Sequence, residues 1–375
     1  MLIANMLSAL LAVTPIETDC LFVLAHTGET NEMLPIMEEM QKQEKEFKVL
    51  ALGVAQDLIK NRVDPSKQLQ AAHWGVAIEK NWPIDRELPK NAVEAVAKEI
   101  HARIVVTGVA MLPQKQFLEA YASTAKTFAF WDNPEPRGAV PYFSTALNVQ
   151  AAASKVLFPS GFVASAKEFA ERPEEQKLVI GKPTLLYSLE DLQRIDKKAV
   201  LETLHFTSEQ PVIAFIGTYG DRYEKAFQMF IEALNTTIEP KSQVIVQIHP
   251  MANGDFEQHA CTTFLNKKQQ YIVSPKNGVS MLEALAVADI VVTYNSSAGF
   301  QALLGGKRVI YVVPEGDAYS NSLIEQGLVY KVSSPQAFST EVTRKFSSDS
   351  PGSLIDLMHI PLDPKERFLH LLYGE

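Results

Sequence analysis

The sequence predicts an α/β protein made of two Rossmann-like, doubly wound parallel-sheet domains with a cleft between them. Three observations carry that expectation. Short apolar runs alternate with amphipathic helical segments along most of the 375 residues, and such alternation is what strand–helix–strand units produce. The length suits two domains at roughly 100–200 residues each. A polar, charged stretch from Leu189 to Leu204 separates two such series and reads as a linker helix. The expected divisions are 1–188 and 189–345, with 346–375 as a C-terminal segment.

The elements follow in order. Leu21–Ala25 is an apolar run ending in polar and Gly residues, and reads as a buried strand. A loop His26–Asn31 leads to a helix over Glu32–Gln43, with Met33, Ile36, Met37 and Met40 at helical spacing. Pro35 fits a first helical turn and so places the helix start. Phe47–Leu52 reads as a strand, Asn91–Ile100 as a helix, Ile104–Gly108 as a strand and Gln114–Ala122 as a helix. Thr127–Trp131 is a strand that runs into Asp132, Asn133 and Pro134. Lys155–Phe158 is a strand, Ala164–Ala170 a helix and Leu178–Ile180 a strand. In the second series, Pro211–Ile216 is a strand entering Gly217, Thr218, Tyr219 and Gly220. A helix over Arg222–Leu234 places Tyr223, Ala226, Phe227, Phe230 and Leu234 on one face. Val244–Ile248 is a strand ending at His249 and Pro250. Val279–Ala288 is a helix, Ile290–Thr293 a strand, Ala298–Leu304 a helix with Gly305 and Gly306 beyond it, and Arg308–Val313 a strand.

Composition narrows the function. Hydrophobic residues at 46% and charged residues at 21% allow a packed core. The 35 Lys and Arg against 44 Asp and Glu give a net charge of −9, which argues against a nucleic-acid partner. Two cysteines, Cys20 and Cys261, make neither a disulfide framework nor a ligand pair, so a reducing cytoplasm is expected. No apolar run reaches the ~18 residues of a spanning helix. Met1–Val13 is apolar like the core of a signal peptide, but no Arg or Lys precedes Lys42. It reads as a helix packed on the domain or making peripheral contact with a membrane surface. There is no GxGxxG, no GxxxxGK followed by Ser or Thr, and no HExxH, so dinucleotide, P-loop and zinc-hydrolase chemistry have no support and no metal is expected.

Ligands of open α/β sheets bind outside the carboxyl ends of strands. That rule selects four loops. After Ile290–Thr293 come Asn295, Ser296, Ser297, Ala298 and Gly299, where free amides at a helix start and two hydroxyls would hold a phosphate. The plainer alternative makes one serine an N-cap. His249 and Pro250 end a neighbouring strand, where an imidazole would bond or neutralise phosphate. Gly217, Thr218 and Tyr219 form a turn that lets backbone approach a ligand. In the first half, His26 is the candidate general base, with Glu29, Glu32 or Asp132 to orient or replace it. The alternative for Asp132 is a turn residue before Pro134. A hydrolase order of Ser297, Asp317 and His359 can also be written, although Asn295 replaces the first Gly of a nucleophile elbow.

These residues resemble a GT-B glycosyltransferase from about Leu21 to Phe346. The opening Leu21–Glu39 is similar to that of MurG-like transferases, where the loop after the first strand meets the acceptor. Val156–Phe162 is similar to a late stretch of the family's first domain. Val179–Leu185 resembles a segment of UDP-GlcNAc 2-epimerases and lipid-A-disaccharide synthases, with Lys182 where Asn is common. Gln247–Pro250 and Asn295–Gly299 are similar to the His-Pro and Ser-Ser motifs of bacterial sialyl-, Kdo- and polyol-phosphate transferases. The acidic acceptor-side motif of sialyltransferases and the HRREN and HVEAG patterns of the epimerases are missing, and Gln301 stands where many retaining enzymes carry an acid. The resemblance implies a metal-independent glycosyltransferase of bacterial glycan or surface polysaccharide synthesis. It implies no cofactor, the nucleotide-sugar being a co-substrate, and a glycan, lipid or protein acceptor. Gly217, Thr218, Tyr219, His249, Pro250, Ser296, Ser297 and Gly299 would hold the donor, and His26, Glu29 or Asp132 would activate the acceptor hydroxyl. It further implies that the C-terminal segment packs back on the first domain. A non-hydrolysing UDP-sugar 2-epimerase and an inactive nucleotide-binding GT-B protein share the same fold.

Overall fold

The computed structural model describes residues 14–136, 142–218, 220–236, 242–249, 252–265, 269–274, 278–344 and 354–374. The apolar segment Met1–Val13 lies outside them. The chain divides into two compact units, the described parts of Met1–Thr184 with Met358–Glu375, and Leu185–Leu357.

Unit 1 holds seven strands: β1 Ile16–Leu24, β2 Phe47–Ala51, β3 Gln68–Leu69, β4 Ile100–Thr107, β5 Lys126–Phe130, β6 Lys155–Phe158 and β7 Lys177–Val179. They form one parallel sheet in the order β3-β2-β1-β4-β5-β6-β7. Both faces are covered, so its central strands are apolar throughout rather than alternating. Cys20, Phe22 and Leu24 face a cluster with Met33, Ile36, Met37 and Met40 of helix Thr27–Lys42. Leu21, Val23 and Ala25 face the other cluster, with Val93, Val96, Phe117 and Tyr121. The terminal helix Pro364–Tyr373 adds Phe368 and Leu372 to the first cluster, and the Phe368 ring stacks on Phe22 with centroids 6.1 Å apart. The chain reaches that helix past Gly161, whose amide donates to His359 O at 3.0 Å.

Unit 2 holds six strands: β8 Val212–Ile216, β9 Gln243–Gln247, β10 Gln270–Ser274, β11 Ile290–Thr293, β12 Arg308–Val312 and β13 Tyr330–Val332. They too are parallel, in the order β10-β9-β8-β11-β12-β13. Helix Asp221–Thr236 buries Tyr223, Phe227, Phe230 and Leu234 against β8 and β9.

Several sequence expectations change. Helix Thr27–Lys42 starts five residues earlier than its apolar spacing indicated, so there is no loop His26–Asn31, and Pro35 sits inside the helix. A cap set by His26 and Glu29 fixes the start, and the helix tolerates the one amide that Pro35 lacks. The expected linker helix is two helices, Pro183–Arg194 and Lys197–Thr203, because Asp196 accepts the amides of Lys198 and Ala199 and starts a new one. The expected helix Ala164–Ala170 is a short turn of helix at Gly161–Ala164 followed by a 3₁₀ turn at Lys167–Phe169.

Candidate functional site

The crevice of an open parallel sheet opens where neighbouring strands send their connections to opposite faces. In unit 1 that point lies between β1 and β4. His26, in extended backbone at φ −121° and ψ 154°, is the N-cap of helix Thr27–Lys42, and its Nδ1 accepts the Gly28 amide at 3.4 Å. Glu29 folds back to complete the capping box. Its Oε1 accepts the amides of Ala25 at 2.6 Å and His26 at 3.0 Å, and the Gln114 side-chain amide at 2.5 Å. Gln114 Oε1 in turn accepts the Met111 amide at 3.0 Å, so one side chain joins two helix starts.

Glu29 is fully buried. Its Oε2 has no partner among the described residues and presses on Gly108, where a Cβ would lie 1.5 Å away. That contact explains a glycine at the end of β4. Burial, joined by the nearby charge of Asp132, pushes the Glu29 carboxyl up to about 8, although its amide bonds favour the anion. At neutral pH it is mostly the uncharged acid. Glu29 is thus a buried carboxyl that caps the helix start.

Asp132, half-buried, follows β5. A Cβ on Gly28 would lie 2.0 Å from Asp132 Oδ2 and 3.7 Å from His26 Nδ1. The structure thus brings His26 and Asp132 together at the first turn of the helix, with Gly28 leaving the room. Lys182 holds this corner from behind. Its Nζ donates to the Asp132 carbonyl at 2.8 Å and pairs with Glu32 Oε1. Glu32, 2% exposed, also accepts the Thr184 amide at 2.9 Å and the Thr184 hydroxyl. Both Glu32 oxygens are thereby bonded within unit 1. Gln114 and the Glu32–Lys182 pair escaped the sequence reading. Lys182 in place of the more common Asn was the one signal.

In unit 2 the same topological point lies between β8 and β11. The Gly217 amide donates to Gln247 O at 2.8 Å. A Cβ there would lie 2.8 Å from that oxygen, 2.9 Å from Tyr223 Oη and 3.5 Å from His249 N, so Gly217 and His249 are close neighbours. Thr218 is buried, and its Oγ1 has no partner among the described residues. His249 is half-buried, and burial lowers its imidazole below the usual value. Tyr219 and Pro250 lie outside the described residues.

Across the crevice, Ser296 is partly exposed and Ser297 exposed. Ser296 Oγ accepts the Ala298 amide at 3.2 Å, whereas the Ser297 hydroxyl makes no capping bond. The free amides expected here are largely absent. The amide of Ser296 donates to Thr293 Oγ1, that of Gly299 to Ser296 O and that of Phe300 to Ser297 O. Helix Ala298–Leu304 is only seven residues long. Gly299 is buried, and a Cβ on it would lie 2.1 Å from Tyr311 Oη. The space that its missing Cβ leaves is taken by that tyrosine. Asn295 and Ser297 are the exposed polar residues of this turn, with Ser296 partly exposed.

Asp317, which sequence reasoning placed only in the hydrolase order, accepts Tyr294 Oη at 2.7 Å and the Tyr319 amide at 2.9 Å. Its carboxylate also lies 3.5 Å from Arg222. Those partners leave it no role as the orienting acid of a serine triad. They do bring an exposed cation, Arg222, beside the crevice, where the sequence reading had none. Among the described residues no group of three or more His, Cys, Asp or Glu side chains is placed to hold a metal ion, and no helix is long and apolar enough to cross a membrane.

Two all-parallel Rossmann-like sheets, each with polar side chains gathered at its switch point, define a GT-B fold. Residues 196–320 match the family described as capsule polysaccharide biosynthesis protein. The fold is similar to UDP-GlcNAc 2-epimerase from Neisseria meningitidis bound to UDP-GlcNAc, at 13% identity and TM-score 0.66, covering 95% of this chain and 100% of that one. It is similar to UDP-GlcNAc 2-epimerase from Methanocaldococcus jannaschii in complex with UDP-GlcNAc and UDP, at 14% identity and TM-score 0.63, covering 95% and 100%. It is also similar to the wall teichoic acid polymerase TagF soaked with CDPG, at 11% identity and TM-score 0.52, covering 96% and 84%. No curated protein matches the chain in sequence.

Proposed function

We propose that this chain is a metal-independent glycosyltransferase of capsule or surface polysaccharide synthesis that moves a sugar from a nucleotide-sugar to an acceptor hydroxyl. One observation carries the reading. The match to the capsule polysaccharide family, residues 196–320, spans every donor-site candidate from Gly217 to Gly299. In this reading His249 and the hydroxyls of Ser296 and Ser297 hold the donor phosphates, with Gly217 and Thr218 giving close backbone approach. A neutral His249 gains a proton as the phosphate binds and offsets its charge. Unit 1 binds the acceptor, His26 takes the hydroxyl proton, and Asp132 stabilises the imidazolium that forms. No resident cofactor is needed. The protein works in the cytoplasm, its apolar N-terminus making peripheral contact with the membrane.

A second reading, UDP-sugar 2-epimerase, is favoured by the fold likeness to epimerases whose structures hold UDP-GlcNAc. Incubation with UDP-, GDP-, CMP-, CDP- and ADP-sugars, following nucleotide release and sugar interconversion together, separates the two. Release of nucleotide without a C2 epimer supports transfer, and a C2 epimer without release supports the second reading. If UDP, GDP, CDP and CMP all leave the melting temperature unchanged at millimolar concentration, both readings fail.

A further inference from the structure

The strands of unit 2 are all parallel, so Gly217, His249 and Ser296 gather at their carboxyl ends. A different polar corner lies at the amino ends. Lys307 immediately precedes β12, and helix Met281–Val287 ends just before β11, the strand that pairs with β12. Lys307 Nζ donates there to the carbonyls of Ala286 at 2.8 Å and Ala288 at 2.7 Å, at the end of that helix. A cation capping a helix end is by itself a structural feature.

The surroundings make this amine different from an ordinary cap. Lys307 is half-buried, whereas Lys197, whose charge acts on it, is exposed. Lys197 opens helix Lys197–Thr203, which packs on helix Met281–Val287. Asp289 acts in the opposite sense, with its Oδ2 tied to the Val212 amide at 2.8 Å. Burial first, then the Lys197 charge, brings the amine from 10.5 down to about 8. About a quarter of the molecules then hold it neutral at pH 7.5, against about one in a thousand for an unperturbed lysine. The hydrogen bonds permit that state. A neutral amine has two protons, one for each carbonyl, so losing the third breaks neither bond. Its lone pair then points away from both carbonyls. A desolvated lysine beside a second cation is the setting in which an amine becomes a nucleophile.

We propose that Lys307 is an acylation site, its Nζ being held by the Ala286 and Ala288 carbonyls so that the lone pair meets a small acyl phosphate. The lone pair attacks the acyl carbon and a C–N bond forms. The C–O bond to phosphorus-bound oxygen breaks, inorganic phosphate leaves with the electron pair, and the surplus amine proton goes to water. A small reagent suits a half-buried amine, and the Lys197 ammonium attracts the phosphate as it departs. The product amide keeps one N–H for one carbonyl. The helix end loses its cation and one of its two bonds. The site is independent of the transferase reading, and its test needs neither nucleotide nor sugar.

Acetyl phosphate on the full chain, followed by peptide mass spectrometry over pH 6.5–9.5, tests the assignment. Lys307 is expected to acetylate at least about fivefold faster at pH 7.5 than the exposed Lys98 and Lys198. Its rate should level off above about pH 8.5, while theirs keep climbing. Lys197→Gln should slow Lys307 at least about twofold at pH 7.5 and leave Lys98 unchanged. Lys307→Gln, which stands for the acylated side chain, should melt at a lower temperature than the unmodified protein. Should that variant fail to fold, the labelling rates decide alone, since they use the wild type and a change at an exposed residue. The proposal is overturned if Lys307 labels no faster than Lys98 and Lys198, if its rate climbs with theirs to pH 9.5, or if Lys197→Gln leaves it unaltered.

Discussion

Replacing Glu29 by Gln tests the buried acid at the heart of unit 1. In the folded protein the carboxyl titrates near 8 rather than at its ordinary 4.5. A raised value means that the native state holds a proton that the unfolded chain has already released. The stabilisation from that proton is complete below the unfolded value and is lost as pH rises through the folded one. Between pH 5 and pH 9 the wild type should therefore lose about 4 kcal/mol relative to Glu29→Gln, with a slope approaching about 1.4 kcal/mol per pH unit in the middle of the window. The amide carries no charge at any of these values, so its constant packing cost shifts the curve without tilting it. All other titrating groups are common to both proteins and cancel in the difference. The assay is urea unfolding followed by tryptophan fluorescence at several pH values. Trp74, Trp82 and Trp131 are the only tryptophans and all belong to unit 1, so the signal reports that unit's transition even if the two units unfold separately. Parallel stability curves for the two proteins would refute the claim that Glu29 is kept protonated by burial.

Other expectations follow from the same geometry. Lys182→Met leaves the Glu32 carboxylate buried with Thr184 as its remaining hydrogen-bond partner among the described residues and should cost about 3–5 kcal/mol in urea unfolding, and adding Glu32→Gln should recover much of it. Nucleotide affinity measured by calorimetry should rise as pH falls from 8 to about 5.5, because His249 starts from a depressed value and gains a proton with the phosphate; His249→Gln should flatten that dependence. His26→Ala should spare nucleotide binding and lower turnover at least about tenfold, whereas Ser297→Ala should weaken binding by about 0.5–1.5 kcal/mol; full turnover in His26→Ala would remove it as the base. Gly299→Ala should destabilise unit 2 by about 1–3 kcal/mol, with Tyr311→Phe recovering part of the loss, since the clash is with the tyrosine oxygen.

What the sequence makes legible is what repeats locally. The central strands are continuous apolar runs, so β1, β4, β8 and β11 are legible as strands. The edge strands β3 and β13, two and three residues long and only partly buried, carry too little pattern to be seen. The site itself was half legible. Position at a strand end selected His26 and Asp132, and the fold does bring them to one helix turn. What position could not show is which neighbours are already bonded. Glu29 looked like a spare carboxylate because its partners Gln114 and Gly108 lie about 80 residues away in the chain. Glu32 is tied to Lys182 and Thr184 across about 150 residues. The amides after β11 looked free because their bonds, to Thr293 Oγ1 and to carbonyls three residues back, follow from the exact turn geometry rather than from residue type.

The two switch points differ in a way that bears on chemistry. At the corner of unit 1 Glu29 Oε1 is bound by three amides, Glu32 by a lysine and a threonine, and the Asp132 carbonyl by the same lysine, while Glu29 Oε2 has no partner among the described residues. Such a corner is held from several sides, with His26 and Asp132 side by side at the first turn of the helix. A proton acceptor benefits from that support, because it has to reach one atom in one direction. The raised carboxyl of Glu29 belongs to the same corner. Burial, with the nearby charge of Asp132, is what raises its carboxyl. In unit 2 Thr218 Oγ1 and Gln247 Oε1 are buried at the ends of adjacent strands with their bonds unmade among the described residues, each at a cost of about 1–3 kcal/mol. Both switch points thus keep buried polar atoms unbonded among the described residues, Glu29 Oε2 in unit 1 and Thr218 Oγ1 and Gln247 Oε1 in unit 2.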